Sequence, residues 1–313
     1  MALEQILIPE KHDLGGFSVQ RSLPHRDRQM VGPFIFFDHL GPAVFPPGKG
    51  VDVRPHPHIN LATVTYLFEG SLLHRDSLGV VQEIVPGEVN WMTAGKGVVH
   101  SERSPDSFRD TESTLHAIQT WVALPEDYEE VDPSFSHHAA GDLPKWQEDG
   151  TTATLIAGKF KSFSSPVQTF SPTLYLSLSL SPGSQFQLPA DDQQKAIYSV
   201  TSGLSIDGQP LEPNRLAIVK TGTSITISAD AIAQTMVVGG EPLGFRQKYW
   251  NFISSRPERI EQAKKDWREK RFPAVPQENE FIPLPEPQST EKTFKSNSSD
   301  QDSSASTSAP PLS

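Results

Sequence analysis

Turn signals divide residues 32–122 into short segments, roughly eight to twelve residues apart, and this spacing limits the possible folds more than any other feature. Residues 63–68 (TVTYLF) are β-branched and aromatic, as is typical of a strand, and a Glu-Gly pair ends them. A further turn follows at Pro86-Gly87. The sequence therefore predicts an all-β antiparallel meander that closes into a barrel or jelly roll.

A second β-rich block follows the first, after a stretch rich in acidic residues, proline and glycine. The chain has 313 residues, enough for two separate cores, and its 28 prolines and 21 glycines fit a protein with many turns. We predict an N-terminal barrel at residues 1–125, a linker at 126–150 and a C-terminal barrel at 151–285. A duplicated barrel is the expected arrangement, although the two halves share little residue-level similarity.

The C-terminal region contains one predicted helix, at residues 257–271. Ser255 precedes Glu258 by three residues in a capping-box pattern, and Pro257 suits a first helical turn. The charges of this helix are expected to form a solvated face, with a partner-binding surface as the alternative. Residues 286–313 are rich in Ser, Thr, Asp and Pro and carry too little apolar surface to fold alone, which predicts a disordered tail.

Composition excludes several classes of function. The chain contains no cysteine, so disulfides, thiolate nucleophiles, iron–sulfur clusters and cysteine-ligated zinc are ruled out. A formal net charge of -11 argues against direct nucleic-acid binding, which needs a basic surface. No apolar run is long enough for a membrane helix, and the N-terminus lacks the pattern of a secretory signal. We therefore expect a cytoplasmic protein with no membrane partner.

The histidines are distributed unevenly. All ten occur by His138, and the second β-rich block has none. His56 and His58 are two residues apart, as are His100 and Glu102, and this spacing in a strand places both side chains on one face. Two such pairs on neighbouring strands would bring four donors to one point. The pattern predicts a metal site in the N-terminal barrel.

The donor set restricts the metal. Three neutral imidazoles and one carboxylate suit a divalent first-row metal such as Fe, Ni, Cu, Mn or Zn far better than Ca or Mg. A lone His-x-His in a strand is weak evidence, because Pro55 and Pro57 also fit a rigid edge strand or loop. The second pair, which follows a meander of suitable length, strengthens the metal hypothesis.

Strand parity extends the predicted inner face beyond the histidines. The residues of matching parity are Asn60, Ala62, Val64, Tyr66 and Phe68. Four large side chains are candidates for an aromatic substrate pocket, with core packing as the default role; they are Trp91, Met92, Tyr66 and Phe68.

The remaining histidines are weaker candidates. His39 is predicted either to support the site from behind a ligand or to be a hydrogen-bonded loop histidine. His74 is expected to be exposed on an outer strand, and lining of the barrel is considered for His116. His137 and His138 are expected to be solvated in the linker.

Three stretches resemble characteristic segments of the pirin family: HPHINLATVTYLFEG, PGEVNWMTAGKGVVHSE and GGEPLGFRQKYWNFISSRPERIEQAKKDW. The resemblance covers most of residues 15–285 and implies two stacked cupin barrels, with one iron-type centre in the first. Carried over by position, it implies the ligands His56, His58, His100 and Glu102. Many cupins take their carboxylate four or five residues after the second histidine, where this chain has Ala62 and Thr63, so Glu102 fills that role.

The resemblance also implies a function. Bacterial pirin-like proteins are similar to quercetin 2,3-dioxygenases, which would give the chain a flavonol-like substrate, O₂ as co-substrate and Glu102 as proton acceptor. An alternative is a metal-dependent, redox-sensing regulator that binds a transcription factor or a metabolic enzyme. A third interpretation, a non-enzymatic storage or structural cupin, fits poorly with an intact donor set.

Overall fold

The computed structural model describes residues 2–13 and 16–285, which form mostly antiparallel strands. Strands β1 to β12 are Leu3–Leu7, Glu10–Asp13, Ser18–Leu23, Phe34–Phe45, Asp52–His58, Leu61–Glu69, Leu72–Asp76, Val81–Ile84, Val89–Thr93, Val98–Arg103, Ser113–Ala123 and Ser134–His138. Strands β13 to β25 are Lys145–Glu148, Thr151–Phe160, Phe163–Ser164, Thr173–Leu180, Gln185–Leu188, Gln194–Ser199, Leu204–Ile206, Gln209–Leu211, Leu216–Val219, Ile225–Ala229, Ala233–Gly240, Gln247–Tyr249 and Phe252–Ser254. Helices α1 and α2 are Asp106–Arg109 and Pro257–Arg268.

The predicted all-β class is confirmed, with two cupin barrels and one short helix near the C-terminus. Within the described residues, no helix has the length and apolarity needed to cross a membrane. The predicted tail, residues 286–313, lies outside the described residues.

The N-terminal barrel is made of two facing sheets. The larger has the order β12-β9-β6-β11-β4-β3-β2, and the smaller has the order β5-β10-β7-β8. Leu67 and Leu115 of the large sheet pack against Leu72 and Ile84 of the small one. Because strand side chains alternate between faces, every second residue of β6 and β11 enters this interior.

The C-terminal barrel has the same two-sheet design. Its large sheet has the order β1-β21-β18-β23-β16-β14-β13, with β15 paired to β14, and its small sheet has the order β17-β22-β19-β20. The interior is occupied by apolar side chains, including Leu155, Leu176, Phe186 and Ile227, all of them fully buried. This barrel therefore has a packed core where the other has a polar site.

A third apolar core joins the two barrels. It forms where the outer faces of the two large sheets meet, and it contains buried residues from both halves of the chain. Phe34 lies edge-on to Tyr175 with ring centres 5.4 Å apart, and Phe37 lies 4.6 Å from Tyr198. Burial on this scale makes the two barrels one packed body.

Segments cross between the halves in both directions. Strand β1 pairs with β21 of the C-terminal sheet, and Phe252 bridges Ile59 of the N-terminal barrel. Residues 126–150, predicted as a linker, contain β12, which pairs with β9, and β13, which pairs with β14. The predicted domain limits remain a prediction, but the connecting segment is itself part of both large sheets.

The predicted inner face of β6 is wrong. Ala62, Val64 and Tyr66 face the C-terminal barrel, while Thr65 and Leu67 point into the N-terminal barrel. Strand β5 belongs to the small sheet and β6 to the large one. Between them Asn60 adopts a left-handed conformation with φ of 59°, which asparagine tolerates better than most residues. The parity of β5 therefore does not continue into β6.

The capping-box prediction for α2 is also wrong. The residue before the first helical turn is Arg256, without a side-chain cap, and Ser255 donates instead to Glu129. Glu129 is fully buried and lies 3.2 Å from the Nε atom of Arg246, whose side chain is 1% exposed. It also accepts hydrogen bonds from the backbone N–H of Ser255 and from Ser254. This buried ion pair fixes the start of α2 against the rest of the chain.

Replacing Glu129 with glutamine should lower the free energy of unfolding by about 3 kcal/mol, because the buried Arg246 loses its countercharge. Urea unfolding followed by tryptophan fluorescence measures the change. Glu126→Gln is the matched control: Glu126 is exposed and 3.9 Å from the same guanidinium, so its loss should cost less than about 1 kcal/mol. Equal stability of the Glu129 variant and the wild type would contradict the importance of this pair.

Candidate metal centre and its cavity

The pairing of β5 with β10 brings three histidines together. In this antiparallel register His100 lies directly opposite His56, and Val98 lies opposite His58. Residues opposite one another project to the same face, so the imidazoles of His56, His58 and His100 converge. One ring nitrogen from each can be chosen so that all three lie within 4.8 Å of one another. The predicted His-x-His pair and His100 therefore do share one site.

The flanking prolines mark an edge strand, as one interpretation predicted, and this position is compatible with the convergence of the histidines. Strand β5 is the edge strand of the small sheet, and a proline at an edge removes no needed ladder hydrogen bond. His56 lies between Pro55 and Pro57, and its Nδ1–H donates to the carbonyl of Arg54 at 2.9 Å. Since that nitrogen carries the proton, the lone pair of neutral His56 is on Nε2.

The three imidazoles fit a metal ion. Both ring nitrogens of His58 and the Nε2 atom of His100 are buried without a hydrogen-bond partner among the described residues. The backbone of Asn251 approaches His58 but makes no hydrogen bond of normal geometry with it. Unpaired buried nitrogens cost free energy, so their presence needs an explanation, and a bound cation supplies one.

Burial keeps these rings neutral. It lowers the pKa of His58 and His100 well below the usual range, and each ring's histidine neighbours lower it further. Burial also lowers the pKa of His56, against a smaller opposing effect of its bond to Arg54. Neutral imidazole is the form that binds a metal.

Glu102 lies beside this group rather than within it. Its carboxylate accepts hydrogen bonds from Nε2 of Gln119 at 2.7 and 2.8 Å, and from the hydroxyl of Thr65 at 3.3 Å. It is 8% exposed and raises the pKa of His56 through its charge. A β-bulge between His100 and Glu102 separates the carboxylate from the regular ladder.

A cavity of about 250 Å³ opens next to the histidines. It is lined by His56, Glu102 and Gln119, by aromatic side chains and by two cations. The lining aromatic residues are Phe17, Phe36, Trp121 and Trp250, and the cations are Arg21 and Lys248. Phe36 and Trp121 stack with ring centres 4.0 Å apart, and the rings of Trp121 and His58 form a T-shaped pair with centres 5.0 Å apart. The cavity is thus an aromatic pocket that ends at the three converging histidines.

The pocket is not built from the predicted aromatic residues. Trp91 and Tyr66 lie in the core between the barrels, and Phe68 packs against it. Met92 belongs to the buried apolar cluster that includes Phe36 and Trp121. These residues therefore have the default role, which is packing in the apolar cores.

The prediction that His74 is exposed is wrong. His74 is 5% exposed and lies directly behind His100 in β7, the neighbour of β10. It shares strand parity with Leu72 and Asp76, which are buried as well. Strand alternation groups His74 with Leu72, but Leu73 makes the opposite face apolar as well, so the sequence does not show which face is inner.

His39 and His116 do not join the three converging histidines, because they lie on the outer face of the large sheet. His39 is in β4 rather than a loop and contacts Tyr198 and Asn214 of the C-terminal barrel. Its Nε2 atom lies 2.7 Å from Nε2 of His116, which is partly buried between the barrels. Burial, and then the charge of His116, lower the pKa of His39 to about 4. This histidine belongs to the interface between the barrels.

His137 and His138 are in β12 and are half-buried rather than solvated. His137 lies 2.8 Å from the side-chain oxygen of Asn90. Gln119 and Trp121, which were not among the predicted site residues, follow Leu115 at alternate positions of one strand. That parity is the signal that places a polar amide inside the barrel.

The fold and the donor group define the class of protein: a bicupin whose first barrel contains a buried three-histidine group suited to a divalent metal. Residues 16–122 match the Pirin family, and residues 175–273 match the Pirin C-terminal cupin domain. A pirin-like protein of Caulobacter vibrioides is 45% identical over 288 residues, covering 91% of this chain and 100% of that protein. The chain belongs to the pirin family.

The names of two further similar proteins refer to an enzymatic activity. A Pseudomonas aeruginosa protein that carries the provisional name of quercetin 2,3-dioxygenase is 41% identical over 259 residues, covering 82% of this chain and 80% of its own. The solved structure of a quercetin 2,3-dioxygenase from Acinetobacter baumannii superposes with a TM-score of 0.85 at 32% identity. That match covers 92% of this chain and 97% of the other.

Replacing His39 with glutamine should flatten the loss of stability in acid. A folded-state pKa near 4, below the usual 6.5, means that the unfolded chain binds the proton first. Stability is therefore complete above pH 6.5 and falls as the pH drops towards 4, by about 2 kcal/mol at pH 5. Urea unfolding at pH 7.5 and pH 5 measures this, and equal losses in both proteins would contradict the assignment.

Proposed function

We propose that this protein is a metal-dependent dioxygenase of the quercetin 2,3-dioxygenase type, acting on a flavonol-like aromatic substrate with O₂. The observation that carries the proposal is the juxtaposition of buried, unpaired imidazole nitrogens with an aromatic-walled cavity. The proposed ligands are His56, His58 and His100, with Glu102 as the fourth donor. Iron is the proposed metal, and Ni, Cu, Mn and Zn satisfy the same donor set.

The three histidines would hold the ion through neutral nitrogens, which add no charge and so would preserve its Lewis acidity. When bound, such a metal supplies a Lewis acid for the enolic oxygens of a flavonol and activates the substrate towards O₂. The packed aromatic rings of Phe36 and Trp121 exclude water from this end of the cavity and orient a planar ring.

Glu102 is proposed to accept the proton of the substrate hydroxyl. A carboxylate bound to a cation is a poor base, since the positive charge favours its ionised form. Gln119 and Thr65 already hold the carboxylate beside the histidines. These two residues would keep Glu102 in the cavity, so that it could serve both as a metal donor and as the base for the substrate hydroxyl.

Glu102→Gln should lower kcat at least 100-fold, because the amide cannot accept the proton. The measurements are loss of flavonol absorbance, O₂ uptake and carbon monoxide release by metal-loaded protein. Glu88→Gln is the matched control: Glu88 lies 3.7 Å from His137, outside the cavity, so its loss should leave kcat unchanged. Undiminished kcat in the Glu102 variant would overturn the assigned role.

A complete lack of turnover by metal-loaded wild type across a flavonol panel would retire the enzyme proposal. The alternative of a redox-sensing regulator would then gain support from a partner that binds the ferrous and ferric proteins differently.

Lys248 is proposed to bind the anionic form of the substrate. It lines the cavity, with Nζ 6.0 Å from the ring centre of Trp121, and forms no ion pair with any described residue. Lys248→Met should raise KM for a flavonol by about tenfold with less effect on kcat, as expected for loss of one charged hydrogen bond. Lys264→Met is the control, since Lys264 pairs with Glu261 on α2. An unchanged KM for Lys248→Met would exclude this contact.

A further inference from the structure

A chain of polar contacts runs from His100, one of the three converging histidines, into the barrel wall. The Nδ1 atom of His100 lies 3.4 Å from Nδ1 of His74, and Nε2 of His74 lies 3.0 Å from Oδ2 of Asp76. All three residues are at most 5% exposed. These contacts result from the register of β10 with β7, in which Glu102 lies opposite His74 and His100 lies opposite Asp76.

The carboxylate of Asp76 is fixed by its own turn. Its Oδ1 atom accepts backbone N–H bonds from Leu78 and Val80, at 2.9 and 3.1 Å. Gly79, at φ of +89°, closes the turn by donating its N–H to the carbonyl of Asp76. Oδ2 is thereby left to accept from His74. The acceptor end of the chain is held by backbone and cannot easily rotate away.

The direction of each bond can be derived from the acceptor end. The carboxylate accepts, so His74 carries its proton on Nε2, and neutral His74 presents a lone pair at Nδ1. His100 must then donate from its own Nδ1, which leaves its lone pair on Nε2. Nε2 of His100 is the very nitrogen that lacks a partner among residues 2–13 and 16–285. The hydrogen bonds and the unpaired atom thus agree on the same tautomer.

Packing also holds the imidazole of His74, the middle member of this chain of contacts. His74 stacks on Phe135 of β12 with ring centres 4.5 Å apart and planes 23° from parallel. His56, by comparison, has its Nδ1–H fixed by a backbone carbonyl. Two of the three proposed ligands therefore have a partner for Nδ1, but of different kinds.

We propose that His74 and Asp76 are positioning residues that fix the tautomer and orientation of His100, so that its Nε2 lone pair faces the metal. This inference rests on the proposed metal site. Hydrogen-bonded partners behind a ligating imidazole set its tautomer and raise its basicity, and their loss typically costs 10–100-fold in metal affinity. Neither residue touches the ion or the substrate.

The test measures Co²⁺ affinity by competition with a chelator, together with the visible absorption spectrum of the bound Co²⁺. His74→Phe keeps a ring against Phe135 but removes both hydrogen bonds, and should weaken Co²⁺ binding by about 10–100-fold. His74→Gln restores a side-chain acceptor and should recover part of that loss.

Asp76→Asn tests the direction of the chain. The asparagine oxygen can still accept from Leu78 and Val80, while its amide donates to Nε2 of His74. The proton of His74 then moves to Nδ1, which forces the proton of His100 onto Nε2 and blocks the metal-binding lone pair. Weaker Co²⁺ binding with an altered Co²⁺ spectrum is the expected result, at a nearly unchanged melting temperature of the metal-free protein.

Phe135→Leu is the matched control. It removes the stacking contact and leaves the hydrogen bonds, so the melting temperature should fall while Co²⁺ affinity stays within about threefold of wild type. Wild-type affinity in both His74→Phe and Asp76→Asn would overturn the inference and leave the metal site intact, and so would an equal loss in Phe135→Leu. Failure of the wild type itself to bind Co²⁺ would overturn the metal site and this inference together.

Discussion

The register of β10 against β5 is the constraint on which the site depends. It places His100 opposite His56, and the two-residue alternation of strands then adds His58 on the same face. A slip of one residue would turn every side chain of β10 to the opposite face, so the donor group would be lost and the apolar interior with it. On its other edge β10 pairs with β7, and that register places His74 behind His100. The two edges of one strand thus position the proposed ligands and their support.

Burying imidazole nitrogens without hydrogen-bond partners costs free energy, and the two barrels differ in this respect. The C-terminal barrel avoids it by filling the same space with apolar side chains such as Leu176 and Phe186. The N-terminal barrel accepts unpaired nitrogens at His58 and His100. A native fold keeps such groups when a ligand or ion compensates them, as the lowered pKa values and the convergence of the rings indicate here.

The sequence allowed a correct prediction of the fold class from local turn spacing, and strand alternation pointed to the three histidines that the pairing of β5 with β10 brings together. Alternation along a strand does not reveal which face is inner, and this is why His74 was placed outside and Ala62 inside. The left-handed Asn60 resets the parity between two sheets, which a residue pattern alone does not indicate. Gln119 meets Glu102 only through long-range pairing of β11. Such contacts depend on topology, and topology is not encoded in any short segment.

The second barrel has no histidine of its own, yet the site is incomplete without the chain that follows it. The outer face of the large N-terminal sheet is apolar and needs a cover, which the C-terminal sheet provides. Beyond that sheet the chain returns to the first barrel, where Trp250, Asn251 and Ile282 form part of the cavity wall. The backbone N–H of Ile282 donates to the carbonyl of Pro55, next to His56. The chain of a barrel without histidines therefore forms one wall of the pocket in the other barrel.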